Sequence, residues 1–442
     1  MDNLIVIFII LIMFLVFLIS GLYIHSVLFA SGIIGLLLLE GYDFLSGLLG
    51  SEPFNRVASY TLTTIPLYVL MAQFILQSGI VKDLFYIVHK ISKGKNSILG
   101  ILTISVGGLL GAVSGSGTAS SASLGQVAIP ELRKHGYSSS LAGAIAAAGG
   151  SLSGIIPPSI ILILYGVATE TPVGKLFIGA VIPGILVMVV FIGVMLVYYR
   201  IQKREVVEKE EELTLEKGHQ DIISYPRLVV GSLAATIIVL IIFVGIYTGI
   251  FTPTEAGAVG AFVGFLAALA LGKVNISFLR DSLTETIKLT GMVMLIMIGA
   301  QIFGRFVSLS MLPRKLISIL APIMDMPALV LIVISVLLFV MFMFIEGAAV
   351  ILMSIPVLLP IITELQVDLL WFGVFVGVIC TIGLITPPVG LSVYAVAGVS
   401  KIKSDSIFRV GMVFATAALV IVCGIMILYP DIVTFLPDSM DQ

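Results

Sequence analysis

Oxygen-bearing side chains in this 442-residue chain gather at four places where apolar sequence is interrupted. The first is Ser114-Gly115-Ser116-Gly117-Thr118, with Ser120, Ser121 and Ser123 close behind. The second runs from Gly149 to Pro158 and holds Gly150, Ser151, Ser153, Gly154 and the pair Pro157-Pro158. The third is Glu346-Gly347-Ala348, and the fourth runs from Thr381 through Gly383 and Thr386 to Pro387-Pro388. Gly and Pro break helices, and a broken helix in an apolar medium leaves backbone groups that something must satisfy. Carbonyl and hydroxyl oxygens are hard ligands, suited to a small hard cation such as Na⁺. Helices starting near Thr118 and Ala348 aim their positive ends at an anion, and the serines beside the first can hydrogen-bond a carboxylate. Small residues also let helices pack closely in membranes, so Ser120 onward carries a packing reading beside the ligand one.

Two charged residues stand out within apolar runs. Glu346 is an acid at the tip of a predicted hairpin, where it either holds a cation, contacts substrate, or complements the dipole of the helix that follows. Arg305 carries the only guanidinium deep in an apolar run. It suits bidentate carboxylate recognition, and it equally suits snorkelling or pairing with an acid.

The elements that must position these residues follow from composition. Hydrophobic residues make up 59% of the chain and charged residues 11%, against about 25% charged in a typical soluble domain. At roughly 20 residues per crossing, that is material for about a dozen spans. The chain reads as an all-α polytopic membrane protein. Spans are predicted near 4–24, 27–48, 63–88, 139–168, 175–199, 228–249, 255–272, 288–308, 369–398 and 407–429. Two further apolar regions, about 97–130 and about 316–362, break in the middle and are predicted to be re-entrant hairpins, because a glycine turn costs little backbone strain. Residues 200–227 hold 13 of the 48 charged side chains and read as a solvated linker.

The linker separates residues 1–199 from 228–442, and the two parts look like a repeat. An offset of 230 pairs Gly117 with Gly347, Pro130 with Pro360, Gly143 with Gly373, and Pro157-Pro158 with Pro387-Pro388. Unwound segments are expected at 149–158 and 379–388. Placing the basic loops in the cytoplasm assigns 17 of the 23 Lys and Arg residues to one side, including those of the linker. On that map the hairpins enter from opposite faces, the repeats are inverted, and both termini lie outside the cytoplasm. Inverted repeats with broken helices point to a secondary transporter with its site near the bilayer midplane.

Other classes fit poorly. A net charge of −2 gives no footprint for nucleic acid. Cys380 and Cys423 sit in apolar runs, and no metal-ligand cluster appears. Met1-Asp2-Asn3-Leu4 lacks a basic n-region, so the first apolar run is expected to be a retained span. Gly94-Lys95-Asn96-Ser97 lacks the upstream glycine of an ATP-binding loop. A membrane-embedded serine hydrolase at the Ser-rich tip is a remote alternative, since all four histidines fall at span ends or in loops. Thr252-Pro253-Thr254-Glu255 reads as a capping box starting a span.

Several stretches resemble the large membrane subunit (DctM-type) of tripartite ATP-independent periplasmic (TRAP) transporters. They are Gly111 to Ala119, Gly150 to Pro158, Phe177 to Gly184, Phe251 to Gly257, and Glu346 to Pro360. The family usually carries another hydroxyl where Gly117 stands, and a Gly-x-Pro where this chain has Gly21-Leu22-Tyr23. The resemblance implies an elevator-type, Na⁺-driven, ATP-independent transporter in a bacterial or archaeal cytoplasmic membrane. A small four-helix membrane subunit would pack beside it, and a periplasmic substrate-binding protein would deliver an organic anion, a carboxylate or sulfonate. Carried onto this chain, the first Na⁺ site involves Ser114, Gly115, Ser116, Gly150, Ser153 and Gly154. The second involves Glu346, Gly347, Thr381, Gly383 and Thr386. Substrate would bind near Ser116, Thr118 and Arg305. A stand-alone Na⁺- or H⁺-coupled symporter for divalent anions is the nearest alternative.

Overall fold

The structure is a computed structural model that describes residues 3–92, 96–206 and 225–440. Most of the charged linker, with Lys93 and Lys95, lies outside the described residues. Among those described, every regular element is helical, and eight helices are long and apolar enough to cross a membrane.

Each half contains a helical hairpin followed by a broken helix. The first has outer helices Asn3–Ile19 and Ile24–Glu40, then Tyr42–Val57 and Thr64–Ser78, then the short Ile80–Ser92. A hairpin follows, with arms Asn96–Ser114 and Gly117–Lys134. Next comes a broken helix, Ser139–Ser151 and Ile160–Thr169, and the closing helices Val173–Gly179 and Val181–Val206. The second half has Tyr225–Leu240, Pro253–Ala270, Ile276–Leu309 and the short Leu312–Leu320. Its hairpin arms are Pro327–Phe344 and Gly347–Glu364, its broken helix Leu369–Gly383 and Leu391–Ser400, and its closing helix Ser404–Ala418. At the offset of 230, Gly117 and Gly347 both begin returning arms, and Lys134 and Glu364 both end them. Both Pro-Pro bonds are cis, and Gly136 and Gln366 leave the two hairpins with positive φ.

Several boundaries differ from the sequence expectation. The second hairpin spans 327–364, because Arg314, Lys315 and Ser318 make Leu312–Leu320 an amphipathic helix of its own, with Leu312, Leu316 and Leu320 on one face. The single span expected at 63–88 divides at Gly79, whose φ of +79° turns the chain into the short helix Ile80–Ser92. The span expected at 288–308 is the last part of a 34-residue helix, Ile276–Leu309, begun by the Asn275 side chain accepting from Phe278 N–H. Unwinding also starts later than expected. Helix continues through Ser151 into a 3₁₀ turn ending at Gly154, and in the second half to Gly383. Gly149 and Gly150 serve packing there: a Cβ on Gly150 would collide with Ser121, whose hydroxyl donates to Ala147 C=O at 3.3 Å.

The halves are interlocked. Ile24–Glu40 lies along Ile276–Leu309, and Pro253–Ala270 lies along Thr64–Ser78. A Cβ on Gly32 would come within 2.7 Å of Phe303 N, so the first contact is close enough to require glycine. Across the second, the buried hydroxyls of Thr64 and Thr254 bond at 2.7 Å. Pro253–Ala270 starts from the capping box read in the sequence: Thr252 Oγ1 accepts from Glu255 N–H, and Thr252 N–H donates to Glu255 Oε2. Inside this frame, the returning arm of each hairpin packs on the second part of the other half's broken helix. Gly117–Lys134 meets Leu391–Ser400, and Gly347–Glu364 meets Ile160–Thr169.

Candidate functional site

That crossing brings the breaks together. At the first tip, Gly115 takes φ +60°, and Ser116 caps the returning arm by accepting from Ala119 N–H. Ser116 and Thr118 hydroxyls lie 3.2 Å apart. At the second tip, Glu346 occupies the N-cap position of Gly347–Glu364, and the Ala348 and Ala349 N–H groups face its carboxylate. The side chain is exposed and faces the space between the tips. The helix-dipole reading of Glu346 therefore stands beside the ligand ones.

The first broken helix passes beneath the first tip. A Cβ on Gly111 would stand 2.7 Å from Ser153 N, so hairpin and 3₁₀ turn touch backbone to backbone. Ser159 donates to Gly154 C=O at 2.8 Å, which partly satisfies the unwound stretch. Ser153 is buried, and its hydroxyl has no hydrogen-bond partner among the described residues. The second broken helix is tied to its own hairpin by Val389 N–H and Gly390 N–H, both donating to Met343 C=O. The Thr381 and Thr386 hydroxyls are buried and donate back to Gly377 and Ile382 carbonyls, leaving lone pairs as their remaining capacity. Gly154 and Thr381 meet directly: a Cβ on Gly154 would fall 2.7 Å from Thr381 Oγ1. The two broken helices thus touch each other at this point.

A cavity of about 100 Å³ lies at this junction. Of the residues singled out in the sequence, Gly115, Ser116, Thr118, Ser153, Gly154, Glu346 and Gly347 line it. Gly150, Thr381, Gly383 and Thr386 sit behind its wall, with Gly383 packed against Phe342 of the second hairpin. Ser114 ends the first arm beside the tip. Arg305 is exposed and does not line the cavity. A larger cleft of about 420 Å³ beside Ile156, Pro157 and Phe243 is almost wholly apolar and contains none of the oxygen ligands. The smaller cavity, where polar groups converge, is the candidate site.

Sequence reasoning passed over several of the residues there. Cys380, Leu384 and Leu391 line the cavity from the second broken helix, and Val69, Met292 and Val293 close it from the long helices. Ser392 lies immediately behind it, and a search by repeat offset misses this residue because position 162 holds Leu. The apolar lining residues carry no signal that separates them from any other Leu or Val in a membrane span.

Comparison with known proteins identifies the family and the fold. Residues 11–431 match the family described as the tripartite ATP-independent periplasmic transporter, DctM component. The C4-dicarboxylate TRAP transporter large permease protein of Pseudomonas aeruginosa is 31% identical, over 87% of this chain and 86% of its own. The 2,3-diketo-L-gulonate TRAP transporter large permease protein of Escherichia coli is 30% identical, over 80% of this chain and 81% of its own. In three dimensions the fold is similar to the crystal structure of the Alcanivorax borkumensis YdaH transporter. The TM-score is 0.66 at 13% identity, covering 89% of this chain and 90% of that one. Family and fold together set the serine hydrolase reading aside: this is a multi-pass membrane protein of the DctM family, the large permease of TRAP transporters, and a transporter rather than an enzyme.

Proposed function

We propose that the protein is the Na⁺-coupled transport subunit of a TRAP system, importing an organic anion across the cytoplasmic membrane. One observation carries the reading: both hairpin tips and both broken helices meet at a single cavity offering hydroxyl, carbonyl and carboxylate oxygens. These are hard donors, and the unpartnered Ser153 hydroxyl fits a small cation better than it fits a dry core. Ser114, Gly115, Ser116, Gly150, Ser153 and Gly154 would hold one Na⁺, and Glu346, Gly347, Thr381, Gly383 and Thr386 another. Substrate would lie between the tips on Ser116 and Thr118. Relatives named for C4-dicarboxylate and 2,3-diketo-L-gulonate transport support a carboxylate substrate.

The recurrence of elements at one offset and the distribution of basic loops support two inverted repeats with both termini outside the cytoplasm. Movement would be elevator-like, the hairpins and broken helices sliding against a frame made by the interlocked long helices. A small four-helix membrane subunit and a periplasmic binding protein complete the proposed system. In proteoliposomes containing all three, uptake should collapse when Na⁺ is replaced by K⁺, and unchanged rates would remove the coupling. Full uptake by this chain alone would favour the stand-alone symporter.

A further inference from the structure

Many buried hydroxyls among the described residues donate to a carbonyl in their own helix, as Thr103, Ser151, Ser335 and Thr381 do. Ser153 and Ser392 do not; Ser31, Tyr68, Ser282 and Thr290 also have no partner among the described residues, but Ser153 and Ser392 face the same glycine. Both are buried, at 1% and 0% exposure, and neither hydroxyl has a hydrogen-bond partner among the described residues. They come from different halves and converge on one point. A Cβ placed on Gly117 would lie 2.9 Å from Leu384 Cδ1, 3.3 Å from Ser153 Oγ and 3.5 Å from Ser392 Oγ, so the missing side chain leaves both oxygens facing the first tip beside a methyl group. An unmade hydrogen bond at a buried hydroxyl is unfavourable by roughly 1–3 kcal/mol, which makes two at one spot an expensive coincidence unless a ligand satisfies them.

The second tip shows that this pairing is not a by-product of the shared architecture. At Gly347, the residue matching Gly117, a Cβ would meet Cys380 Sγ and Ile161 Cδ1, both 2.8 Å away. There the neighbours are a thiol and a methyl group, which are poor ligands for a hard cation. Of these two matched glycines, Gly117 faces an oxygen pair and Gly347 does not.

We propose that Ser392 supplies an oxygen ligand from the second half to the cation site of the first hairpin, so that Ser153 and Ser392 bracket the ion beside Gly117. The inference rests on Na⁺ coupling as proposed above and adds a specific consequence. Ion binding at the first tip clamps Gly117–Lys134 to Leu391–Ser400, and so ties one hairpin to the other half's broken helix.

The test needs neither substrate nor partner. Melting of the purified full-length protein is followed across a Na⁺ titration, with choline chloride holding ionic strength constant. The parent should be stabilised by Na⁺. Ser392→Ala should raise the half-saturating Na⁺ concentration about tenfold, in line with loss of one charge-assisted contact. Ser392→Cys, which keeps the size but replaces a hard donor with a soft one, should do the same, and it serves if the alanine variant does not fold. Ser335→Ala, which removes a hydroxyl already bonded within its own helix, should leave the titration unchanged. A parent that responds to Na⁺ while both Ser392 variants titrate like it would overturn the inference alone. A parent whose melting ignores Na⁺ would overturn the inference together with the coupling.

Discussion

Gly154 and Thr381 are one of the tight contacts between the two broken helices, and they make the site sensitive to a single methyl group. Gly154→Ala would put its Cβ 2.7 Å from Thr381 Oγ1 and 3.4 Å from Thr381 N, with backbone on one side and no flexible end to give way. We expect it to destabilise the protein by about 1–3 kcal/mol, as overpacking does, and to be read as a lower melting temperature with reduced uptake. Thr381→Ala in the same chain should restore the melting temperature, because it removes the clashing hydroxyl. It should not restore Na⁺ dependence: Thr381→Ala alone should raise the Na⁺ concentration needed for half-maximal uptake several-fold while leaving the fold intact. At this scale the sequence was most legible where a residue was chemically out of place. Glu346 and Ser153 announced themselves as polar groups at breaks in apolar runs, and both line the cavity. Arg305 was equally out of place, yet it is exposed on the outer side of its helix, because periodicity alone does not say which face of a membrane helix meets lipid. Ser392 was illegible, since one Ser among apolar residues resembles any small packing residue until its missing hydrogen bond is seen.

Short helices do much of the joining between elements. Ile80–Ser92 is held by Asp83, whose fully buried carboxylate accepts from Arg227 Nε at 2.9 Å across a sequence distance of 144 residues. Its second oxygen, Oδ1, has no partner among the described residues. Arg227 stands at the start of the helix that leaves the charged linker, with 33% of its side chain exposed. Removing one partner of a buried pair typically costs about 3–5 kcal/mol, and solvent at the arginine end should reduce this to roughly 1–3 kcal/mol. Arg227→Ala should therefore lower the melting temperature by several degrees. The double variant Asp83→Leu/Arg227→Leu should recover most of that loss, because no charge is then left buried alone. Helix ends with side-chain caps were readable: Thr252 with Glu255 forms the box its spacing announced. Helix interiors were less so. Gly149-Gly150 looked like a break but is a packing notch, Gly150 for Ser121 and Gly149 for Leu124 and Gly107, and Gly residues in membrane helices carry both meanings.

For the molecule as a whole, composition revealed the all-helical membrane class, and punctuation marked the two hairpin tips, since Pro and Gly survive the monotony of apolar sequence. The exchange of long helices was not readable. Nothing in Ile24–Glu40 or Pro253–Ala270 states that each packs on the other half, because Leu, Val and Gly faces match many partners. The exchange matters before transport ever begins. Gly32 and Gly35 of the first half meet their partners Phe303 and Phe306 only once Ile276–Leu309 has been made. We therefore expect assembly to be completed only when the second half arrives. Two fragments divided within residues 207–224 should each be degraded when made separately, and should recover membrane abundance and transport when made together. Stable accumulation of either fragment alone would show that the halves mature independently. A chain truncated after its first half would leave the glycine face of Ile24–Glu40 without its partner helix, so loss of the second half is expected to be felt as proteolytic sensitivity in the first.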